Sequence, residues 1–116
     1  MSKITRQGSN QILSNSVEYH NFGFLAVLTA DDLSHDVTGQ TRQVIAKIDQ
    51  SLEANGTDKT RLLQAQIWLK DIRDRDAMNK GWVEWLGDAG RPARACVEAN
   101  MADPRHLVEI MVTATR

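Results

Sequence analysis

The chain has 116 residues, 41% hydrophobic and 25% charged, with fourteen basic residues against fifteen acidic ones for a formal net charge of −1. That length suits one domain with one core, residues 1–116, and the balance of side chains is that of a globular chain rather than a disordered one. A near-neutral charge lacks the basic excess of a nucleic-acid binder, and no run of about eighteen apolar residues offers a membrane span.

The opening "MSKITRQGSNQILSNS" has no apolar stretch of the signal-peptide kind, and the single cysteine, Cys96, has no partner for an internal disulfide. Both features suit a cytoplasmic location. Residues 3–6 are short and read as an edge strand. "QILSNSVEYHNFGFLAVLTA" contains two β-rich runs, about 12–20 and 22–29, with Asn21 near the bend. The second run is almost continuously apolar, as in a strand covered on both faces.

The period then changes. Val37, Thr41, Val44, Ile45, Ile48 and Leu52 share one face at helical spacing, and Asn55-Gly56 ends the run as a C-cap. "TRLLQAQIWLKDI" alternates, with Leu63, Ala65, Ile67 and Leu69 on one side and Leu62, Gln64, Gln66 and Trp68 on the other. A second helix follows in "DRDAMNKGWVEWLGDAG", with an apolar stripe of Met78, Trp82, Trp85 and Leu86; Gly87, Gly90 and Pro92 stop it. Two further strands, about 93–101 and 107–115, are joined across "ADPRH", where Asp-Pro favours a turn. The order β-β-β-α-β-α-β-β with right-handed crossovers predicts an α+β two-layer fold, a mixed sheet with both helices on one face.

Alternation also predicts faces for the terminal strands. Ala93, Ala95, Val97, Ala99 and Met101 are expected beneath the helices, as are Val108, Ile110 and Val112. The opposite face then holds Arg94, Cys96, Glu98 and Asn100 with Leu107, Glu109 and Met111. That face is either ordinary surface or is covered by another copy of the chain with its charges lining a cleft. One layer of helices would leave the apolar run 22–29 half bare, which favours cover. Arg94 likewise has two uses: a structural ion pair with Glu98 or Glu109, or a planar fork gripping a ligand carboxylate.

The run "PARACVEANM…HLVEIMVTA" resembles the C-terminal signature of the Rid (YjgF) family of enamine/imine deaminases, also labelled endoribonucleases or translation inhibitors. The likeness extends through "LEANGTDKTRLLQAQIWLKDIRDRDAMNKGWVEWL", covers most of the chain from about residue 22, and is closest to the shorter YoaB-like branch. The resemblance implies a chorismate-mutase-like fold assembled as a homotrimer with clefts between subunits and a small carboxylate metabolite as ligand; no cofactor or metal is expected.

Carried over residue by residue, the family's carboxylate-binding arginine falls on Arg94, its neighbouring cysteine on Cys96, its late water-orienting glutamate on Glu109 and its helix asparagine on Asn79. A serine-glycine pair after the third strand becomes Thr29-Ala30, which keeps a hydroxyl but not the glycine. The family's N-terminal tyrosine would align near Ser16 or Val17 and is missing, with Tyr19 nearby but out of register. The loop "DDLSHD" is shorter than the family's. The reading implied is hydrolysis of 2-imino and enamine acids to 2-keto acids and ammonia. Its rival is a trimer that binds a small carboxylate without turnover, as a sensor or chaperone-like partner.

The remaining candidates are weaker. No histidine lies near Cys96 in sequence to activate it as a nucleophile, and His20, His35 and His106 show no metal-ligand spacing. Trp82 and Trp85 suit helix packing, whereas Trp68 alternates toward the other face and an interface. Ribonuclease activity finds neither a basic surface nor an acid–base pair, so no nucleic-acid or membrane partner is expected.

Overall fold

The computed structural model describes residues 3–116. Its elements are β1 (Thr5–Gln7), β2 (Ser16–Tyr19), β3 (Phe22–Leu25), α1 (Val37–Ala54), β4 (Leu62–Leu69), α2 (Arg75–Leu86), β5 (Ala93–Glu98) and β6 (Val108–Thr115). Six strands form one sheet in the order β1-β2-β3-β6-β4-β5. Neighbours are antiparallel except for β4 and β5, which are joined through α2 and run parallel. The sequence of elements, the α+β class and the mixed sheet with its helices on one face are those expected.

Helix α1 begins and ends where local groups satisfy its free backbone donors and acceptors. The Asp36 carboxylate accepts the Gly39 N–H at 3.0 Å and caps α1. At the other end Gly56 takes φ +73°, so that its N–H reaches Glu53 O and the Thr57 N–H reaches Leu52 O, each at 3.0 Å. This double bond pattern needs a left-handed residue after the cap, which glycine adopts without a Cβ clash.

The core lies between the helices and one face of the sheet. Val44, Ile48 and Leu52 from α1 and Met78, Trp82 and Leu86 from α2 meet Ala65, Ile67 and Leu69 of β4 and Val108, Ile110, Val112 and Ala114 of β6. The two central strands therefore obey the expected two-residue alternation, with one exception. A bulge between Leu62 and Gln64 buries Leu62 and leaves Leu63 exposed, the reverse of the alternation extrapolated from Ala65.

Other boundaries differ where alternation carries no packing partner. Residues 10–13 form a bend held by the Asn10 side chain, which accepts the N–H groups of Ile12 and Leu13, and β2 starts only at Ser16. β3 ends at Leu25, after which a lone bridge pairs Leu28 with Ile110. β3 is also covered on one face only: Gly23 and Leu25 are buried while Phe22 and Phe24 stay exposed.

One buried polar side chain ties the layers together. Gln40 of α1 is fully buried and donates through Nε2 to the carbonyls of His35 and Arg105, while its Oε1 accepts the Leu107 N–H at 2.9 Å. Nearby, Gln43 Oε1 accepts the N–H groups of Asp31 and Asp32, and its Nε2 donates to Asp32 O, which holds the short loop before α1 closed. Replacing Gln40 by Leu strands a buried N–H and two carbonyls. We expect Gln40→Leu to lower stability by about 2–4 kcal/mol. The check is urea unfolding: a lower midpoint at unchanged slope is expected, and an unshifted midpoint contradicts the role of the tie.

Candidate functional site

β5 is the edge strand, and its register against β4 decides where its side chains go. Arg94 is paired with Ala65, Cys96 with Ile67 and Glu98 with Leu69, all three partners being core residues on the helix side. Arg94, Cys96 and Glu98 therefore lie on the helix face of the sheet, and Ala93, Ala95 and Val97 lie on the open face. This reverses the expected faces of β5. The reason is physical: at an edge strand beyond the reach of the core, small residues need no cover, while a long arginine stem can lie along the flank of α2.

Arg94 makes two defined contacts there. Its Nη1 donates to Asn79 Oδ1 at 2.7 Å, and its Cζ sits 5.8 Å from the centre of the Trp82 ring. Half-buried Asn79 and buried Trp82 are three residues apart on α2, so one helical turn supplies both contacts. Among the described residues no carboxylate comes within 4.0 Å of the Arg94 guanidinium, so it pairs with neither Glu98 nor Glu109. Glu98 instead accepts the Ile72 N–H at 2.9 Å. Arg94 and Asn79 line a hollow of about 310 Å³ together with Trp82, Val83, Arg91 and Pro92.

Cys96 is half-buried and packs against the core. Burial pushes its thiol pKa up, opposed by the positive charges of Arg94 and Arg75. A thiol in that state is a poor nucleophile.

Glu109 and Thr29 belong to the other half of the molecule. Glu109 is half-buried on the open face of β6, in register with Trp68 of β4. One residue on from the Leu28–Ile110 bridge, the antiparallel register brings Thr29 level with Glu109. The Thr29 carbonyl accepts the Lys47 ammonium at 2.7 Å, and Ala30 is buried behind it. Thus the structure brings Arg94, Asn79 and Cys96 together and Thr29 and Glu109 together, but keeps the two sets apart within one chain. Three strand spacings separate Thr29 from Arg94, about 14 Å, and the sheet itself stands between the faces.

The open face is continuous across the sheet. Tyr19, Phe22, Phe24, Val97 and Met111 are each at least 40% exposed on it. A hollow of about 420 Å³ at its centre is lined by Gln64, Gln66, Trp68, Met111 and Thr113. Trp68 lies on this face, as its alternation in β4 predicts. Ser16 and Val17, where the family's tyrosine was expected, place a buried hydroxyl on the helix side and a half-buried valine on the open side. Arg91, one residue ahead of the proline at the start of β5, joins Arg94 in the flank hollow. Sequence reasoning passed over it, although the spacing Arg91-Pro92-Ala93-Arg94 was the available signal. Among the described residues no group of three or more His, Cys, Asp or Glu side chains is placed to hold a metal ion, and no helix is long and apolar enough to cross a membrane.

Comparisons with known proteins agree with this architecture. The profile of the family described as Endoribonuclease L-PSP matches residues 14–116. The chain is 37% identical over 111 residues to a RutC family protein of Haemophilus ducreyi, covering 96% of this chain and 95% of that one. It is 35% identical over 100 residues to the RutC family protein YoaB of Escherichia coli K12, with 86% and 88% covered. It is 32% identical over 94 residues to the 3-aminoacrylate deaminase RutC of Acinetobacter baylyi, with 79% and 74% covered. A crystal structure of a YjgF family member from Neisseria meningitidis superposes with a TM-score of 0.93 at 36% identity, covering 98% of this chain and 95% of that one. By this match over nearly its whole length, by the identity of its relatives and by the superposition of its sheet and helices, the chain belongs to the Endoribonuclease L-PSP family, the Rid or YjgF family.

Proposed function

We propose that the chain hydrolyses 2-imino and enamine acids to 2-keto acids and ammonia, in clefts between the subunits of a homotrimer. The observation that carries this reading is the Arg94 guanidinium, oriented by Asn79 and Trp82 beside a hollow and matched by no carboxylate among the described residues. An arginine so held offers its remaining N–H groups to an external carboxylate. The relative from Acinetobacter baylyi named as a 3-aminoacrylate deaminase, an enzyme acting on an enamine acid, supports the reaction class.

Two features favour assembly. The open face carries more exposed apolar side chains than a solvated sheet face usually keeps, and another copy is a natural cover. The separation of Arg94 from Thr29 and Glu109 is the second: a cleft using both sets takes them from different chains. On this reading one subunit supplies Arg94, Asn79 and Cys96, and its neighbour supplies Glu109, Thr29 and the backbone at Ala30.

In such a cleft Arg94 binds the substrate carboxylate and presents the imine carbon. Glu109, with the Cys96 carbonyl as a second acceptor, orients a water whose oxygen adds to that carbon. The two protons of the water pass to the nitrogen, the carbon–nitrogen bond breaks, and ammonia leaves as the keto oxygen forms. An enamine reaches the same point after gaining a proton at its terminal carbon and losing one from its nitrogen. Thr29 Oγ1 hydrogen-bonds the substrate. Imines hydrolyse without a catalyst, so positioning and charge placement are sufficient. The ribonuclease of the family's description draws no support from a chain of net charge −1.

A second reading, carboxylate binding without turnover, is favoured by one feature: Ser16 and Val17 stand where the family's tyrosine is expected. The experiment that separates the two supplies 2-iminobutanoate from an amino-acid oxidase and follows its decay. Wild type is expected to accelerate the decay, and Arg94→Ala to lose at least tenfold of that acceleration. A silent assay with 2-oxobutyrate binding retained in calorimetry selects the second reading.

Sedimentation is expected to show three copies of the 13.0 kDa chain in one particle, and a monomer would contradict the shared cleft. For Cys96, burial raises the thiol pKa, so its thiolate fraction between pH 7 and 8 lies below that of an ordinary thiol. Alkylation by iodoacetamide should therefore be slower than that of free cysteine, with its rise displaced to higher pH. Faster alkylation at pH 7 would restore a nucleophilic role.

A further inference from the structure

The hollow beside Arg94 contains a second guanidinium. Arg91 precedes Pro92, and its Nη1 donates to the carbonyls of Gly87 at 2.8 Å and Ala89 at 2.6 Å. These carbonyls lie just beyond the last turn of α2, where the helix leaves unpaired acceptors and negative partial charge. The side chain is thus anchored by one nitrogen rather than trailing in solvent. Among the described residues its Nε and Nη2 have no acceptor, and the same holds for Arg94, whose one hydrogen bond also uses Nη1.

The rest of the lining sharpens the point. Asn79, Trp82, Val83 and Pro92 complete it, so the hollow holds two positive charges and no acidic side chain. Among the described residues no carboxylate comes within 4.0 Å of either guanidinium. Two like charges facing one small concavity repel each other, and an anion between them relieves that repulsion. A monocarboxylate satisfies one fork. A ligand with a second carboxylate satisfies both.

We propose that Arg91 is a specificity-determining residue, and that the preferred ligand is a dicarboxylic 2-imino or enamine acid whose second carboxylate it holds. The inference rests on Arg94 as the anchor of the reacting carboxylate, as proposed above. The second carboxylate takes no part in the bond changes. Trp82, Val83 and Pro92 give the carbon chain between the two charges an apolar floor.

The test measures binding to the intact protein by calorimetry, with the unreactive keto acids 2-oxoglutarate and 2-oxobutyrate as dianionic and monoanionic probes. In wild type the dianion is expected to bind about tenfold tighter, the gain of one further charge-assisted contact. In Arg91→Gln that ratio should fall to about one, and in Arg91→Lys, which keeps the charge and loses the fork, to an intermediate value. Thermal melts of both variants check that the turn after α2 is intact. A wild-type ratio near one, a ratio that survives Arg91→Gln, or no binding of either probe overturns the inference. Imine decay is followed separately: if it is silent while the binding pattern holds, the deaminase reading fails and the second anchor stands.

Discussion

Two helices cover one face of a six-stranded sheet and leave the other without cover, and most features of this protein follow from that shortage. On the covered side, β4 and β6 place Ala65, Ile67, Leu69, Val108, Ile110 and Val112 under α1 and α2 at nearly complete burial. On the other side the same strands place Gln64, Gln66, Trp68, Glu109, Met111 and Thr113, a mixed set suited to neither bulk water nor a dry core. Burial of apolar area drives the first arrangement. The second remains exposed, and the aromatic pair Phe22 and Phe24 extends it across the sheet.

The same shortage explains the position of the candidate site. β5 sits at the sheet edge, where the core under it has thinned, so its helix-side positions admit a charged side chain whose stem packs and whose head reaches the flank. α2 then supplies a neutral hydrogen-bond acceptor, Asn79, and an aromatic face, Trp82, rather than a counter-charge. An acidic residue at position 79 would neutralise the arginine internally and compete with any ligand carboxylate. Neutral support orients the guanidinium and leaves its charge available. Arg91 is held by backbone carbonyls with the same consequence.

Polar ties keep this geometry stiff. Gln40 binds α1 to the turn ahead of β6, and Gln43 with Lys47 fixes the loop that carries Thr29. None of these ties follows a hydrophobic period. They are visible only once residues 11 to 67 positions apart in sequence stand side by side, which is why glutamines on a helix read simply as surface.

Local chemistry was enough for much of the fold. The helical stripe from Val37 to Leu52, the Asn55-Gly56 cap, the stripe of Met78, Trp82 and Leu86, and the alternation of β6 each report burial on one side of a regular backbone, and each is borne out. The signature "PARACVEANM…HLVEIMVTA" carried the family, and with it the selection of Arg94, Asn79 and Glu109. What the sequence by itself determined, then, was the kind and order of elements and the family. Tertiary structure alone decided the faces of β5. An edge strand of small residues and single charges, such as β5, has no hydrophobic preference for either side, so only its pairing with β4 sends Arg94 toward α2 and Ala93, Ala95 and Val97 away. In the same way a one-residue bulge exchanged Leu62 for Leu63, because with a period of two a single inserted residue turns every later side chain to the opposite face.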